Sequence, residues 1–325
     1  MKICSYCKQP ISSLGDQTLC PEISIILPIY NEINILQELY NQLTSALKKI
    51  TESYELIFVD DGSRDGSYKF LEELNRKDSD HVRVLKLSRN FGHHIALTSG
   101  IQHSKGKYTV IMDSDLQDRP EEIEKLYEKI KEGYDCVYGN REDSTHSRFK
   151  KITSFLFNKL MNLIVDAYVP INSSVFRIMN RNFVENFNKL GEQERFIPGM
   201  MSWMGFKQTG ILLKHGHRFS GKTKYSIVKM IRLSFNSLTS YSFLPLQISS
   251  LFGFIIAFLA GVAIIILAFR KILLGYIIDG WTSLIITILF IGGIQLIALG
   301  IMGEYIGRTY LESQKKPLYF IEKHL

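Results

Sequence analysis

The spacing of apolar residues changes period several times along the chain, and each change marks a part. From Ile23, short apolar runs alternate with stretches of helical spacing. Ile23–Ile29 (ISIILPI) is continuously apolar, as a strand buried on both faces is. Over 34–50 the residues Ile35, Leu39, Leu43 and Leu47 recur at helical spacing. Runs at 55–59, 82–87, 108–112 and 136–138 read as strands, separated by helical patterns over 67–75, 93–102 and 121–132. The last of these helices is opened by Pro120 and acidic residues, which suit a helix start. This alternation predicts an α/β fold with an open, mostly parallel, Rossmann-like sheet.

Further on the pattern becomes that of a membrane protein. The runs 246–269 and 282–303 carry no charge, and each is long enough to cross a bilayer as a helix. They predict a transmembrane hairpin over 246–303. Before it, 225–241 places Ile227, Ile231, Leu238 and Tyr241 on one face, the pattern of an interfacial helix. The domain reading is therefore a cysteine-bearing tail (1–22), a catalytic domain (23–224), juxtamembrane helices (225–245), the hairpin (246–303) and a C-terminal tail (304–325). Lys222, Lys224, Lys229 and Arg232 precede the hairpin, and Arg308, Lys315, Lys316 and Lys323 follow it. They outnumber Arg270 and Lys271 between the spans, which places the catalytic domain and C-terminus in the cytoplasm, under a multi-pass plasma membrane protein.

Composition narrows the partners. A 46% hydrophobic, 22% charged chain fits a globular domain with membrane segments, and the net charge of +7 suits phosphorylated ligands or an anionic membrane surface. Nucleic acid is a poor fit, because basic residues gather near the apolar spans and no recognition module appears. Cys4, Cys7 and Cys20 fall one ligand short of a structural zinc site, with no histidine before His81. With Cys136 they make no disulfide framework, which favours a reducing, cytosolic side.

The polar clusters sit where the strands end: Tyr30-Asn31-Glu32, Asp60-Asp61-Gly62-Ser63 and Asp113-Ser114-Asp115. In open α/β sheets, ligands bind beyond the carboxyl ends of the strands. Asp113 and Asp115 bring two carboxylates within reach of one hard divalent cation, Mg²⁺ or Mn²⁺, with Gln117 supplying another oxygen. Such an ion offsets the charge of a leaving nucleoside diphosphate.

Residues 25–32 (IILPIYNE), 59–63 (VDDGS), 88–92 (SRNFG) and 113–118 (DSDLQD) together resemble the family 2 glycosyltransferases that act on polyprenyl phosphate. So do 218–225 (RFSGKTKY) and 303–310 (GEYIGRTY), and the resemblance runs from about Ile23 to Phe320. It is nearest to the bactoprenol glucosyltransferases and aminoarabinose transferases, with dolichol-phosphate mannose synthases more distant. The resemblance implies a GT-A fold and a homotetramer. It implies that Pro28, Tyr30 and Glu32 hold the nucleoside, that Asp60 contacts the base, and that Asp61 and Ser114 belong to the donor site. Asp113, Asp115 and Gln117 match metal ligands. Arg141, Arg148, Arg218 and Lys224 match the acceptor-phosphate side, and Asp115, Arg141 and Arg218 are the catalytic candidates. Arg119 stands where relatives often have proline, and 172–177 (NSSVFR) lacks the acidic residue common before the Phe-Arg pair.

The expected reaction moves a sugar, foremost glucose from UDP-glucose, onto undecaprenyl phosphate. N-acetylglucosamine, galactose, aminoarabinose and mannose donors stay open. The acceptor monoester has a second pKa near ~6 and is largely ionised at neutral pH, so it needs no strong base. His93, His94, Glu192 and Glu194 are accordingly read as solvated or structural. Two rivals stand beside this reading: a nucleotidyl- or phosphosugar transferase on the same scaffold, and a non-catalytic membrane scaffold.

Overall fold

The computed structural model describes residues 2–3, 10–11, 20–141, 173–214, 244–274 and 280–325. Of the residues singled out above, Arg148, Arg218 and Lys224, and the whole of 225–241, lie outside them. The described chain forms two compact units, one comprising Met1–Lys224 with Lys316–Leu325, the other Tyr225–Lys315.

In the first unit, β1 (Lys2–Ile3) and β2 (Pro10–Ile11) make a small antiparallel ladder. The main sheet is built from β3 (Ile23–Ile29), β4 (Tyr54–Asp60), β5 (Val82–Leu87), β6 (Tyr108–Ile111), β7 (Cys136–Arg141), β8 (Ser173–Asn180), β9 (Gln208–Leu213) and β10 (Ile321–His324). Its order is β10-β5-β4-β3-β6-β8-β7-β9. The β5-β4-β3-β6 block is parallel, β8 and β10 run antiparallel to their neighbours, and β9 is parallel to β7. The parallel α/β reading of the first half of the chain holds.

Every residue of β3 and β4 is buried, because helices cover both faces of the sheet. One face packs Ile23, Ile25, Leu27 and Phe58 against α1 (Leu36–Leu47), α2 (Ser67–Lys77) and α4 (Ile123–Ile130). The other packs Ile26, Ile57 and Val59 against α3 (His93–His103), α5 (Arg181–Phe187) and α6 (Ile197–Trp203). Alternate side chains of one strand thus feed two cores, which is why these strands read as unbroken apolar runs.

At the amino ends of the strands a polar network replaces apolar packing. The buried Glu55 carboxylate accepts the Ser24 hydroxyl (2.5 Å), the Lys105 amide (2.8 Å) and the Arg83 guanidinium (2.8 Å). Arg83 also donates to the His103 carbonyl at 3.0 Å and lies 2.9 Å from His324 Nε2 on β10.

The segment read from sequence as a C-terminal tail (304–325) is divided differently in the structure. Its first part continues the second apolar helix, and its last part is the edge strand β10. Leu325 and Val84 exchange amide–carbonyl hydrogen bonds at 2.9 and 3.0 Å, Lys86 pairs with Glu322 at 2.9 Å, and Tyr319 donates to Gln102 at 2.6 Å. Cys20 is disulfide-bonded, and Cys136 is a buried free thiol.

The second unit contains α7 (Leu244–Leu274) and α8 (Trp281–Ser313), which pack on one another. The stretch Phe290–Ser313 is long and apolar enough to cross a membrane, and none of its window is buried within the protein. Phe254 and Phe258 on α7, and Leu296 and Ile297 on α8, are largely exposed. A continuous apolar surface of this kind requires a partner other than water.

The amino-end network makes a stability prediction. Arg83→Met leaves the Glu55 carboxylate buried without its cation, and is expected to cost about 3 kcal/mol. Adding Glu55→Gln should recover most of that loss. Denaturant unfolding of the two variants measures it, and a double variant no more stable than the single one would contradict the pairing.

Candidate active site

Strand order reverses between β3 and β6: the chain builds outward from β3 through β4 to β5, then returns to the other side of β3. Crevices at such reversals are where α/β sheets bind ligands. Three loops meet there, following β3, β4 and β6.

The first two loops are knitted together by hydrogen bonds. Asn31, at φ 56°, receives the Arg64 amide on its side-chain oxygen at 2.8 Å, and its own amide donates to Ser63 Oγ at 3.0 Å. The Glu32 amide donates to Ser67 Oγ (3.1 Å) and the Ile33 amide to Asp65 (3.0 Å). Burial tends to raise the Asp65 pKa, but hydrogen bonds from Ser67 and the Ile33 amide outweigh it and hold the carboxyl below its usual range. Tyr30 stays 47% exposed at the rim, available to a planar ligand, whereas Pro28 is buried within β3.

Asp60 and Asp61 close β4 and are both buried, yet their surroundings differ. Asp61 accepts the Phe91 amide on one oxygen (2.7 Å) and the Gly92 amide on the other (2.9 Å). Asp61, which the sequence reading assigned to the donor site, thus holds the 91–92 loop. Gly62 makes that approach possible: at φ +73°, a Cβ there would lie 2.7 Å from backbone atoms of Arg89 and Asn90. Asp60 is hydrogen-bonded by Ser63, whose amide lies 3.3 Å from Oδ1, and its Oδ2 is buried without a hydrogen-bond partner among the described residues. Burial raises the Asp60 pKa against the lowering effect of Ser63 and Lys86, and burial likewise raises that of Asp61. A buried acceptor without a donor suits the N–H of a nucleobase.

After β6 the chain makes an irregular turn with Leu116 at φ 59°. Accessibility alternates along it: Asp113, Asp115 and Gln117 are partly exposed, and Ser114, Leu116 and Asp118 are buried. The three oxygen-bearing candidates are therefore the accessible ones, and a carboxylate–amide set fits a hard divalent cation. Asp115 Oδ1 accepts the Gln117 amide at 3.1 Å, which fixes the turn. Among the described residues, no three His, Cys, Asp or Glu side chains converge as a closed metal site.

Sequence reasoning set His93 aside as solvated or structural. It is the first residue of α3, delivered by the loop that Asp61 holds, and its Nε2 lies 3.3 Å from Asp113 Oδ1. Its position directly after the 88–92 motif was the available signal. His94 lies beside it, its Nδ1 buried. Burial, His93 and the Arg177 guanidinium lower its pKa to about 4, so it stays neutral near pH 7. Arg177 is itself buried on β8, donating to the Ser174 carbonyl (2.7 Å), the Val175 carbonyl (3.3 Å) and Met201 Sδ (3.3 Å). Arg141 closes β7, which is separated from β6 only by β8.

The family model described as Glycosyl transferase family 2 matches residues 24–187, from β3 to α5, and so includes all three strand-end loops. The chain belongs to glycosyl transferase family 2. Its sheet is the GT-A type, mostly parallel with helices on both faces. Relatives extend the match through the apolar helices. The Bacillus subtilis glycosyltransferase YkcC is 39% identical over 303 residues, covering 93% of this chain and 94% of its own. A prophage bactoprenol glucosyl transferase homolog of Escherichia coli is 35% identical, covering 93% and 99%. The undecaprenyl-phosphate 4-deoxy-4-formamido-L-arabinose transferase of Proteus mirabilis is 33% identical, covering 93% of each chain.

The contrast between the two aspartates is testable. Groups with raised pKa values favour the fold below the ordinary carboxylate range and lose that contribution as pH rises through the raised value. At pH 7 the ionised Asp60 therefore costs stability. Asp60→Asn is expected to raise the Tm at pH 7, with the gain disappearing below about pH 4, while weakening uridine nucleotide binding. Thermal unfolding across that pH range, paired with calorimetric UDP titration, checks both. Lower stability at pH 7 with unchanged nucleotide affinity would contradict the assignment.

Proposed function

We propose that the chain transfers a sugar, foremost glucose from UDP-glucose, to undecaprenyl phosphate at the cytoplasmic face of the plasma membrane, for modification of cell-envelope glycans. The observation that carries this reading is the relatives' coverage: a bactoprenol glucosyl transferase homolog and an undecaprenyl-phosphate sugar transferase each align over 93% of the chain. The alignment therefore includes apolar helices as well as the sheet. Other UDP-linked donors would use the same nucleotide site and differ only at the sugar pocket, whereas GDP-mannose would also present a different base to Asp60.

Tyr30, Glu32 and Asp60 hold the nucleoside in this reading, with Pro28 shaping the floor and Ser114 beside the donor. Asp113, Asp115 and Gln117 hold Mg²⁺ or Mn²⁺, which supplies Lewis-acid stabilisation of the leaving diphosphate. Arg141, Arg148, Arg218 and Lys224 receive the acceptor phosphate, since guanidinium groups donate bidentate, permanently charged hydrogen bonds. The ionised phosphate oxygen attacks the anomeric carbon from the face opposite the diphosphate. A carbon–oxygen bond to the lipid phosphate forms, the bond to the nucleoside diphosphate breaks, and the anomeric centre inverts. No protein base is required, and positioning together with electrostatics supplies the rate.

Connectivity supports a two-span anchor. Residues before 215 and after 315 belong to the same sheet-bearing unit, through β10. A chain whose α8 crosses the bilayer must then cross an even number of times, and α7, 31 residues long and apolar, supplies the second crossing. The excess of Lys and Arg flanking the pair places the sheet on the cytoplasmic side. The family resemblance read from the sequence motifs supports a homotetramer as the proposed assembly.

Incubating the purified full-length protein with undecaprenyl phosphate, Mg²⁺ or Mn²⁺ and a panel of nucleotide sugars should give a lipid one hexose heavier with UDP-glucose. The new glycosidic bond should have the configuration opposite to the donor's by NMR. Asp115→Ala is expected to reduce turnover by about 10³-fold, the equivalent of several kcal/mol of lost charge stabilisation. Unchanged product yield in that variant would favour the non-catalytic scaffold.

A further inference from the structure

We infer that His93 is a nitrogen ligand of the catalytic metal, completing the Asp113 side of the site. This rests on the reading of Asp113 and Asp115 as a metal site, and adds to it a residue that lies outside the D-x-D turn.

The geometry points to this role in three ways. First, His93 Nε2 and Asp113 Oδ1 stand 3.3 Å apart, beyond the common range for an N–H···O hydrogen bond. Two neighbouring ligands of one ion, each about 2.1 Å from it, lie about 3.0 Å apart in octahedral and about 3.4 Å apart in tetrahedral geometry. The pair already has the separation of two donors to a single ion, without movement of the chain. Second, both side chains reach the surface, 43% exposed for His93 and 32% for Asp113, while the Asp113 Oδ1 that faces the imidazole is itself buried, the setting of an acceptor turned inward toward a shared ligand. Third, the imidazole is held from behind. The Asp61 carboxylate fixes the amides of Phe91 and Gly92, the two residues before His93, and α3 fixes the backbone on its other side. A surface histidine with no task would not need its approach loop clamped by a buried carboxylate.

An imidazole in the site changes its selectivity. An all-oxygen set suits Mg²⁺, whereas nitrogen donors move preference toward transition metals. His93 therefore biases this site toward Mn²⁺. The bland alternative is that His93 only hydrogen-bonds Asp113 and orients it.

Electron spin-echo envelope modulation of Mn²⁺ bound to the full-length protein in detergent, with and without UDP, separates these roles. The expected result is ¹⁴N modulation in the wild type, replaced by a ¹⁵N signal when histidine is ¹⁵N-labelled and lost in His93→Gln. Mn²⁺ affinity should fall at least about tenfold in that variant, with a smaller change for Mg²⁺ and an unaltered Tm. Bound Mn²⁺ without nitrogen modulation, or modulation that survives His93→Gln, would overturn the inference and leave the Asp113–Asp115 site standing. Mn²⁺ binding that is undetectable, or indifferent to Asp115→Ala, would instead overturn the metal reading on which it rests.

Discussion

The site depends on one buried carboxylate with both of its oxygens occupied. Asp61 directly follows β4 and binds the Phe91 and Gly92 amides, so that the loop after β5 is pinned to the loop after β4. Charged acceptors make stronger hydrogen bonds than neutral ones, and these offset part of the cost of burying the charge, which still raises the Asp61 pKa. Without that clamp, His93 has no fixed approach to Asp113, and Gly62 no reason to lack a side chain. The neighbouring Asp60 is equally buried and far less satisfied, the pattern of a residue kept for a ligand at some expense to the fold.

The same division of labour runs through the rest of the chain. Apolar strands and helices on both faces fix the sheet, and the polar network around Glu55 ties the opposite ends of the strands. The functional groups are left to the loops, as is usual for α/β enzymes. β10 brings the end of the chain back to β5, so the apolar helices are joined to the sheet-bearing unit at both of their ends.

Much of this was legible in the sequence, for definable reasons. β3, β4 and β6 announce themselves because burial on both faces leaves no room for polar residues. The D-x-D turn stood out because it follows such a strand. Other features were hidden. β8 carries Arg177 at its centre, and a buried arginine satisfied by backbone carbonyls looks like a surface residue in a string of letters. β10 (IEKH) is an edge strand, paired on one side only, so its composition is polar. The roles of Asp60 and Asp61 were not separable, because adjacent identical residues differ only in which partners the fold brings to them. His93 was set aside for want of a base to assign, although its role concerns Asp113 and not the acceptor.

The chemistry turns on which bond of the donor breaks. If the lipid phosphate attacks the anomeric carbon, the nucleotide leaves with both of its phosphates. Phosphorus NMR of the reaction of purified protein with UDP-glucose and undecaprenyl phosphate reads this directly. UDP should appear in step with the lipid product; release of UMP or of inorganic pyrophosphate would contradict the account.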